Sequence, residues 1–169
     1  MNSEELRVVQ APLKERYRAE PNSALVTLRA QGRLGEGISC RVGTGTALVE
    51  AGLHPATGGD GLAACSGDML LEALAACAGV TLRAVATAIG LDLRDGTVTA
   101  EGDLDFRGTL GVSKEVPVGF KAIRLHFDLD TDADDEKLDT LMRLTTRYCV
   151  VYQTLVSSPA VSVTHRIAR

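Results

Sequence analysis

The chemistry-bearing residues of this chain are its four cysteines, at positions 40, 65, 77 and 149. No two have C-x-x-C spacing, so neither a zinc site nor a thioredoxin-type dithiol is signalled. A thiol can still act alone, as a nucleophile or as a two-electron redox centre. Cys77 lies deep in the most apolar stretch of the chain. At helical spacing it shares a face with Leu70, Ala73, Leu74, Val80, Thr81 and Ala84. That face is made of small side chains, so another backbone can approach the sulfur closely. The ordinary reading is a packed core cysteine. The functional reading is a nucleophile, which would need a cation, because an apolar setting alone raises a thiol pKa. Cys149 follows Thr146-Arg147-Tyr148 and opens a short helix. A helix N-terminus beside an arginine is an environment that lowers a thiol pKa, and Cys149 is expected to feel it. Its ordinary reading is a capping-region residue without a role. Cys40 fits the apolar face of a strand, and Cys65 precedes a helix start with no specific chemistry signalled.

The other reactive groups are weaker signals. His54, His126 and His165 are scattered along the chain. A Cys149–His165 hydrolase dyad would need an oxyanion hole, and nothing places one nearby. Gly43-Thr44-Gly45 lacks the following G-K-[ST] of a phosphate cradle. The acidic run 130–136 lacks the glycine and terminal glutamate of a calcium loop and reads as a solvated loop and helix start. Gly58-Gly59-Asp60-Gly61 is explained by turn chemistry, although it could line a pocket mouth.

Periodicity assigns the elements that must hold these residues. Residues 1–20 are expected to form a polar N-terminal arm, with Pro12 starting a short helix over Leu13–Tyr17. The main domain then runs over residues 21–169. Alternating apolar positions predict strands over 24–30 and 38–42, joined by a turn at 31–35, and a third short strand at Thr46–Glu50. An extended loop follows over 54–61. A helix is predicted over 68–89, capped by Ser66 and stopped by Gly90. It is apolar almost all round and long enough for a membrane span. Glu72 and Arg83 inside it favour a helix buried in the middle of a fold. Strands are predicted at 97–106 and 123–130, an amphipathic helix at 134–147, a short helix from Cys149, and a last strand through Val161, Val163 and His165. Strands in front, a buried helix in the middle and amphipathic elements behind make an α+β pattern.

Composition sets the limits. The length suits one domain with a sizeable core. Aromatics are only 4% of residues, so Ala, Val, Leu and Ile must build that core. Net charge is −4 with no Lys/Arg cluster, which argues against a nucleic-acid partner. The start, Met-Asn-Ser-Glu-Glu-Leu-Arg, has neither the basic nor the apolar region of a signal peptide. A reducing cytoplasm is therefore the expected location.

Two motifs resemble those of a known family. Ser66-Gly67-Asp68-Met69-Leu70-Leu71-Glu72-Ala73-Leu74-Ala75-Ala76-Cys77, continuing into Val80-Thr81-Leu82, resembles the central cysteine helix of the OsmC/Ohr family, often N-P-E-E-L-L-x-A-A-L-A-A-C. Cys149-Val150-Val151-Tyr152-Gln153-Thr154-Leu155 resembles its second motif, C-P-V-x-x-x-L. The two cysteines stand 72 positions apart, of the family's order, and the resemblance covers roughly residues 20 to 168. It implies antiparallel sheets around a long central helix, in an intertwined homodimer with active sites at the interface. It also implies reduction of organic hydroperoxides to alcohols. Cys77 would be the attacking thiolate, Cys149 the resolving thiol, and a dithiol reductant would restore both, with no metal or flavin. In the family's peroxidases an arginine from the N-terminal strands, held by a glutamate at the helix start, supports the thiolate. Arg33, in Ala30-Gln31-Gly32-Arg33-Leu34-Gly35, matches the arginine turn loosely, with Arg41 as second choice. The Pro-Glu pair falls on Ser66 and Gly67, so the glutamate is missing; Asp68 stands next to its place, and Glu72 is the other carboxylate near it. That loss is what favours the alternative, a non-enzymatic family member that binds a small apolar ligand or acts as a redox-sensitive stress protein.

Overall fold

The computed structural model describes residues 3–34, 40–42, 51–62 and 64–167. The elements run in the order α1 (Ser3–Ala19), β1 (Leu25–Leu34), β2 (Cys40–Val42), β3 (Ala51–Gly52), β4 (Ala64–Cys65), α2 (Ser66–Ala88), β5 (Asp95–Asp105), α3 (Phe106–Thr109), β6 (Ala122–Asp130), α4 (Asp135–Tyr148) and α5 (Val150–Val156). Four strands form one antiparallel sheet, ordered β2-β1-β5-β6. β3 and β4 form a separate parallel pair, with Gly52 opposite Cys65.

The α+β architecture and the central helix follow from burial. On β5, Val98 and Ala100 are fully buried beside Leu71, Leu74, Ala75 and Ala78 of α2. Farther along α2, Leu82, Val85 and Ala86 pack with Leu91, Leu93 and Leu141 of α4. α2 is the one helix among the described residues long and apolar enough to cross a membrane. Here it is the core helix, packed against β1, β5, α4 and α5. Inside it, Arg83 directs its guanidinium to the carbonyl of Leu93, which gives that charge a polar partner.

Gly90 stops α2 as expected. Its φ of 68° lies in the left-handed region. The N–H of Leu91 donates to the Ala86 carbonyl at 2.9 Å, and that of Gly90 to Thr87 at 3.3 Å. Together these make a Schellman closure. Space around Gly90 is open, so Gly90→Ala should cost only the backbone strain, about 1 kcal/mol, read from the urea midpoint.

Several boundaries differ from the sequence expectation. The N-terminal helix spans Ser3–Ala19 with Pro12 inside it rather than at its start. Val8 is exposed, so the carbonyl that Pro12 leaves without a donor has access to water. The same helix is anchored by Tyr17, which is fully buried and donates its hydroxyl to the Ala56 carbonyl at 2.7 Å. β1 continues through Gln31–Leu34, where a turn was expected, because its ladder with β5 runs on to Arg33 opposite Thr97. Cys65 rather than Ser66 occupies the N-cap of α2, since extended β4 runs straight into the helix. Phe106 begins α3 instead of ending β5; Asp105 caps that turn, accepting the Arg107 N–H at 3.1 Å. The expected last strand does not form. Residues 157–167 have no regular structure, and Val161 and Val163 are 84% and 90% exposed. An alternating segment needs a neighbouring strand to hold its backbone groups, and among the described residues none lies beside it. The expected strand Thr46–Glu50, Ile38, Ser39 and the end of the 31–35 turn at Gly35 lie outside the described residues.

Candidate functional site: a thiol pair between two helices

The structure brings Cys77 of α2 and Cys149 together in one core cluster, where each shifts the acidity of the other. Cys149 is the hinge between α4 and α5. Its N–H closes α4 on the Thr145 carbonyl at 2.9 Å, and its sulfur caps α5 by accepting the Tyr152 N–H at 3.5 Å. It is buried in the main core cluster, against which Cys77 packs. Neither is in a disulfide.

The two thiols have opposite electrostatics. Burial pushes the Cys77 thiol up, but four hydrogen bonds to its thiolate outweigh that. They come from the Val151 N–H, the Cys149 thiol, the Val150 N–H and the Thr81 hydroxyl, and the net result lies below the ordinary thiol value. Cys149 is pushed up to about 11, first by burial and further by the hydrogen bond and charge of Cys77; the Tyr152 N–H opposes this only in part.

This reverses the sequence expectation for Cys149. The start of α5 was expected to acidify the cysteine that opens it. Instead its first N–H groups serve Cys77, across the helix-helix contact. Arg147 lies over the Tyr148 ring, 5.6 Å from its centroid, and is not among the groups acting on Cys149. The expectation that an apolar helix leaves Cys77 with a raised pKa is corrected for the same reason. Thr81, one turn beyond Cys77 on the same face, makes the smallest of these contributions, and the largest comes from α5.

The remaining proposed site residues stand elsewhere. Arg33 holds the β1 position opposite Thr97, and also pairs with Arg41 of β2. The β1 positions in register with core-facing Val98 and Ala100 are Gly32 and Ala30, so Arg33 and Arg41 belong to the alternate set. Asp68 is in the first turn of α2, nine residues before Cys77, about 14 Å at helical rise. Burial pushes its carboxyl up, and the charge of His54 partly offsets that. Neither Asp68 nor Glu72 is among the groups acting on Cys77. His126 faces Asp128 at 3.1 Å on an exposed strand, and His165 lies in the exposed tail.

Near the head of α2 a cleft of about 390 Å³ opens, lined by His54, Cys65, Gly67, Leu70, Phe106 and Phe120 among others. Gly58 and Gly61 have left-handed backbones, which the turn after Thr57 requires. Along α2 from this cleft past Cys77 runs an apolar stripe, Leu70, Ala73 and Val80, that the described residues leave exposed; Val80 is 37% exposed. Val150 of α5 is 71% exposed on the other side of the thiol pair.

Comparison with known proteins agrees with the fold. Three solved structures share the fold. An OsmC-like hydroperoxide resistance protein from Jannaschia sp. CCS1 is 20% identical, with a TM-score of 0.55, covering 86% of this chain and 95% of its own. An OsmC-like protein from Mycoplasma pneumoniae is 16% identical, with a TM-score of 0.55 and coverages of 79% and 86%. An organic hydroperoxide resistance protein OsmC from Legionella pneumophila is 20% identical, with a TM-score of 0.54 and coverages of 78% and 90%. No curated protein matches the sequence. The family model for OsmC-like protein matches residues 58–164, which contain both cysteines of the pair and the whole of α2. With nearly two-thirds of its length matched, this chain belongs to the OsmC-like protein family.

Proposed function

We propose that the protein is a thiol peroxidase that reduces organic hydroperoxides, with Cys77 as the attacking thiol and Cys149 as the resolving one. The observation that carries this reading is the packing of two thiols of divided acidity in one core cluster. Cys77 is held toward the thiolate, and Cys149 is kept protonated beside it. In the first step the Cys77 thiolate attacks the outer peroxide oxygen. The O–O bond breaks, the alkoxide leaves and takes a proton to become the alcohol, and Cys77 becomes a sulfenic acid. In the second step the Cys149 sulfur attacks the sulfenic sulfur. A disulfide forms and water leaves. The order is self-consistent electrostatically: the Cys77 charge that holds the Cys149 thiol up disappears once Cys77 is oxidised. A dithiol reductant then returns both sulfurs to thiols, in a reducing cytoplasm. Sulfur carries both electrons, so the chemistry needs no metal or flavin.

The substrate class follows from the surroundings. The stripe beside Cys77 is apolar, which favours a hydroperoxide with a hydrocarbon group over hydrogen peroxide. The same open stripe and the unpaired tail at 157–167 support a homodimer in which a second copy covers Cys77. Arg33 or Arg41 would then act on Cys77 from that copy. The test is peroxide consumption with cumene hydroperoxide and dithiothreitol. Wild type is expected to turn over, and Cys77→Ser is expected to fall to the uncatalysed rate. Equal rates in the two proteins would remove the enzymatic reading.

A further inference from the structure

The cleft at the head of α2 has a construction of its own, independent of the thiol pair. Its centre is His54, which is pinned from four directions. The His54 carbonyl accepts the Thr57 N–H at 2.8 Å, the Gly59 N–H at 3.2 Å and the Thr57 hydroxyl at 2.9 Å. Nδ1 accepts the Ala56 N–H at 3.0 Å. The ring stacks on Phe106, with centroids 4.9 Å apart and planes 16° from parallel. Gly59 is required for this knot, because a Cβ there would lie 1.7 Å from the Leu53 carbonyl oxygen.

The hydrogen bond to Nδ1 decides the tautomer. A nitrogen that accepts an N–H holds a lone pair, so the neutral ring carries its hydrogen on Nε2. Nε2 has no hydrogen-bond partner among the described residues, and His54 lines the cleft. His54 therefore presents a fixed Nε2–H donor to the cleft. The walls around it are chiefly apolar, with Leu70, Phe106 and Phe120 prominent. Phe120 reaches its place only because β5 carries Gly102, whose Cβ would fall 2.3 Å from that ring. The volume lies within the range of small-molecule sites.

We propose that this cleft binds a neutral, largely apolar molecule carrying one oxygen acceptor, of the ketone, ester or alcohol class, with that oxygen on the His54 Nε2–H. No Lys or Arg is among the described residues that line the cleft, so an anionic ligand would give up its hydration with no cation to meet it. Gly67 leaves the floor open where the family motif has a glutamate.

The experiment uses the full-length protein and 2-decanone, with decanoate as the anionic comparison. Cys65 lines the cleft and reports on its occupancy, while Cys77 serves as internal control. N-ethylmaleimide labelling is followed for each cysteine by mass spectrometry. The ketone is expected to slow labelling of Cys65 at least tenfold relative to Cys77, and decanoate to slow it far less. His54→Phe keeps the stack on Phe106 and is expected to lose the protection. Leu70→Trp fills the cleft from a partly exposed wall and is expected to remove the calorimetric heat of ketone binding. The proposal is overturned by absence of protection in wild type, by equal protection in His54→Phe, or by equal protection from decanoate. It is also overturned if Cys65 is inert in wild type and reactive only when dimerisation is broken, which would make a second copy the occupant. None of these readouts depends on peroxidase activity, so the two readings fail separately.

Discussion

Cys149→Ser is expected to abolish multiple turnover while sparing the first chemical step. One equivalent of cumene hydroperoxide should still be consumed, because Cys77 keeps its thiolate donors from Val150, Val151 and Thr81. The product should be a sulfenic acid at Cys77, trapped by dimedone, where wild type yields an intramolecular disulfide. With a dithiol as reductant, steady-state rate should fall by on the order of 100-fold, and excess peroxide should drive Cys77 on to sulfinic acid. Undiminished turnover would remove Cys149 from the mechanism. A companion measurement tests the electrostatics. Thiolate is the alkylated form, so the rate at Cys77 rises with pH and levels off below the ordinary thiol pKa of 9. Cys149→Ala removes one donor to that thiolate, so the midpoint should move upward. A downward shift would mean that Cys149 opposes the Cys77 charge instead of stabilising it.

Val80→Lys is the second large effect. Val80 lies on the open apolar stripe of α2, three residues beyond Cys77. A second copy seated there would have to bury the new charge without a partner, a cost of several kcal/mol. Light scattering should show wild type as a dimer and the variant as a monomer. The monomer's circular dichroism should be unchanged, since Val80 is outside the core clusters. Peroxidase activity should fall with dimerisation if an arginine from the second copy supports Cys77. A variant that stays dimeric would place the interface elsewhere.

How far these elements were legible in sequence can be traced residue by residue. α2 was readable from the length of its apolar run, and β5, β6 and α4 because each has a single dominant period; Asp134 caps α4 as its type suggests, accepting the Lys137 N–H at 2.9 Å. Pro12 misled because a surface helix can tolerate a broken hydrogen bond that a buried one cannot. Gly32 misled because a ladder of nine paired positions with β5 overrides a local turn preference. The segment through Val161 and Val163 has a strand's alternation, but alternation only says which face a neighbour would cover, not whether one is present. The cysteine pair was reachable through its two motifs. The direction of its acidity was not, because Val150 and Val151 of α5 donate to a residue 73 and 74 positions before them, and no local rule connects them. His54 was invisible for a related reason: its orientation comes from backbone groups of its own loop, and those have no sequence signature beyond glycine.

The Cys149 sulfur does two things at once: it caps α5 through the Tyr152 N–H, and it packs in one core cluster with Cys77. α5 has only seven residues, so its first turn is most of what it is. A sulfur drawn into a covalent bond with Cys77 is drawn away from that N–H. The amide of Tyr152 therefore becomes a gauge of thiol status: protected from solvent exchange while the thiols are reduced, and loosened as the disulfide closes.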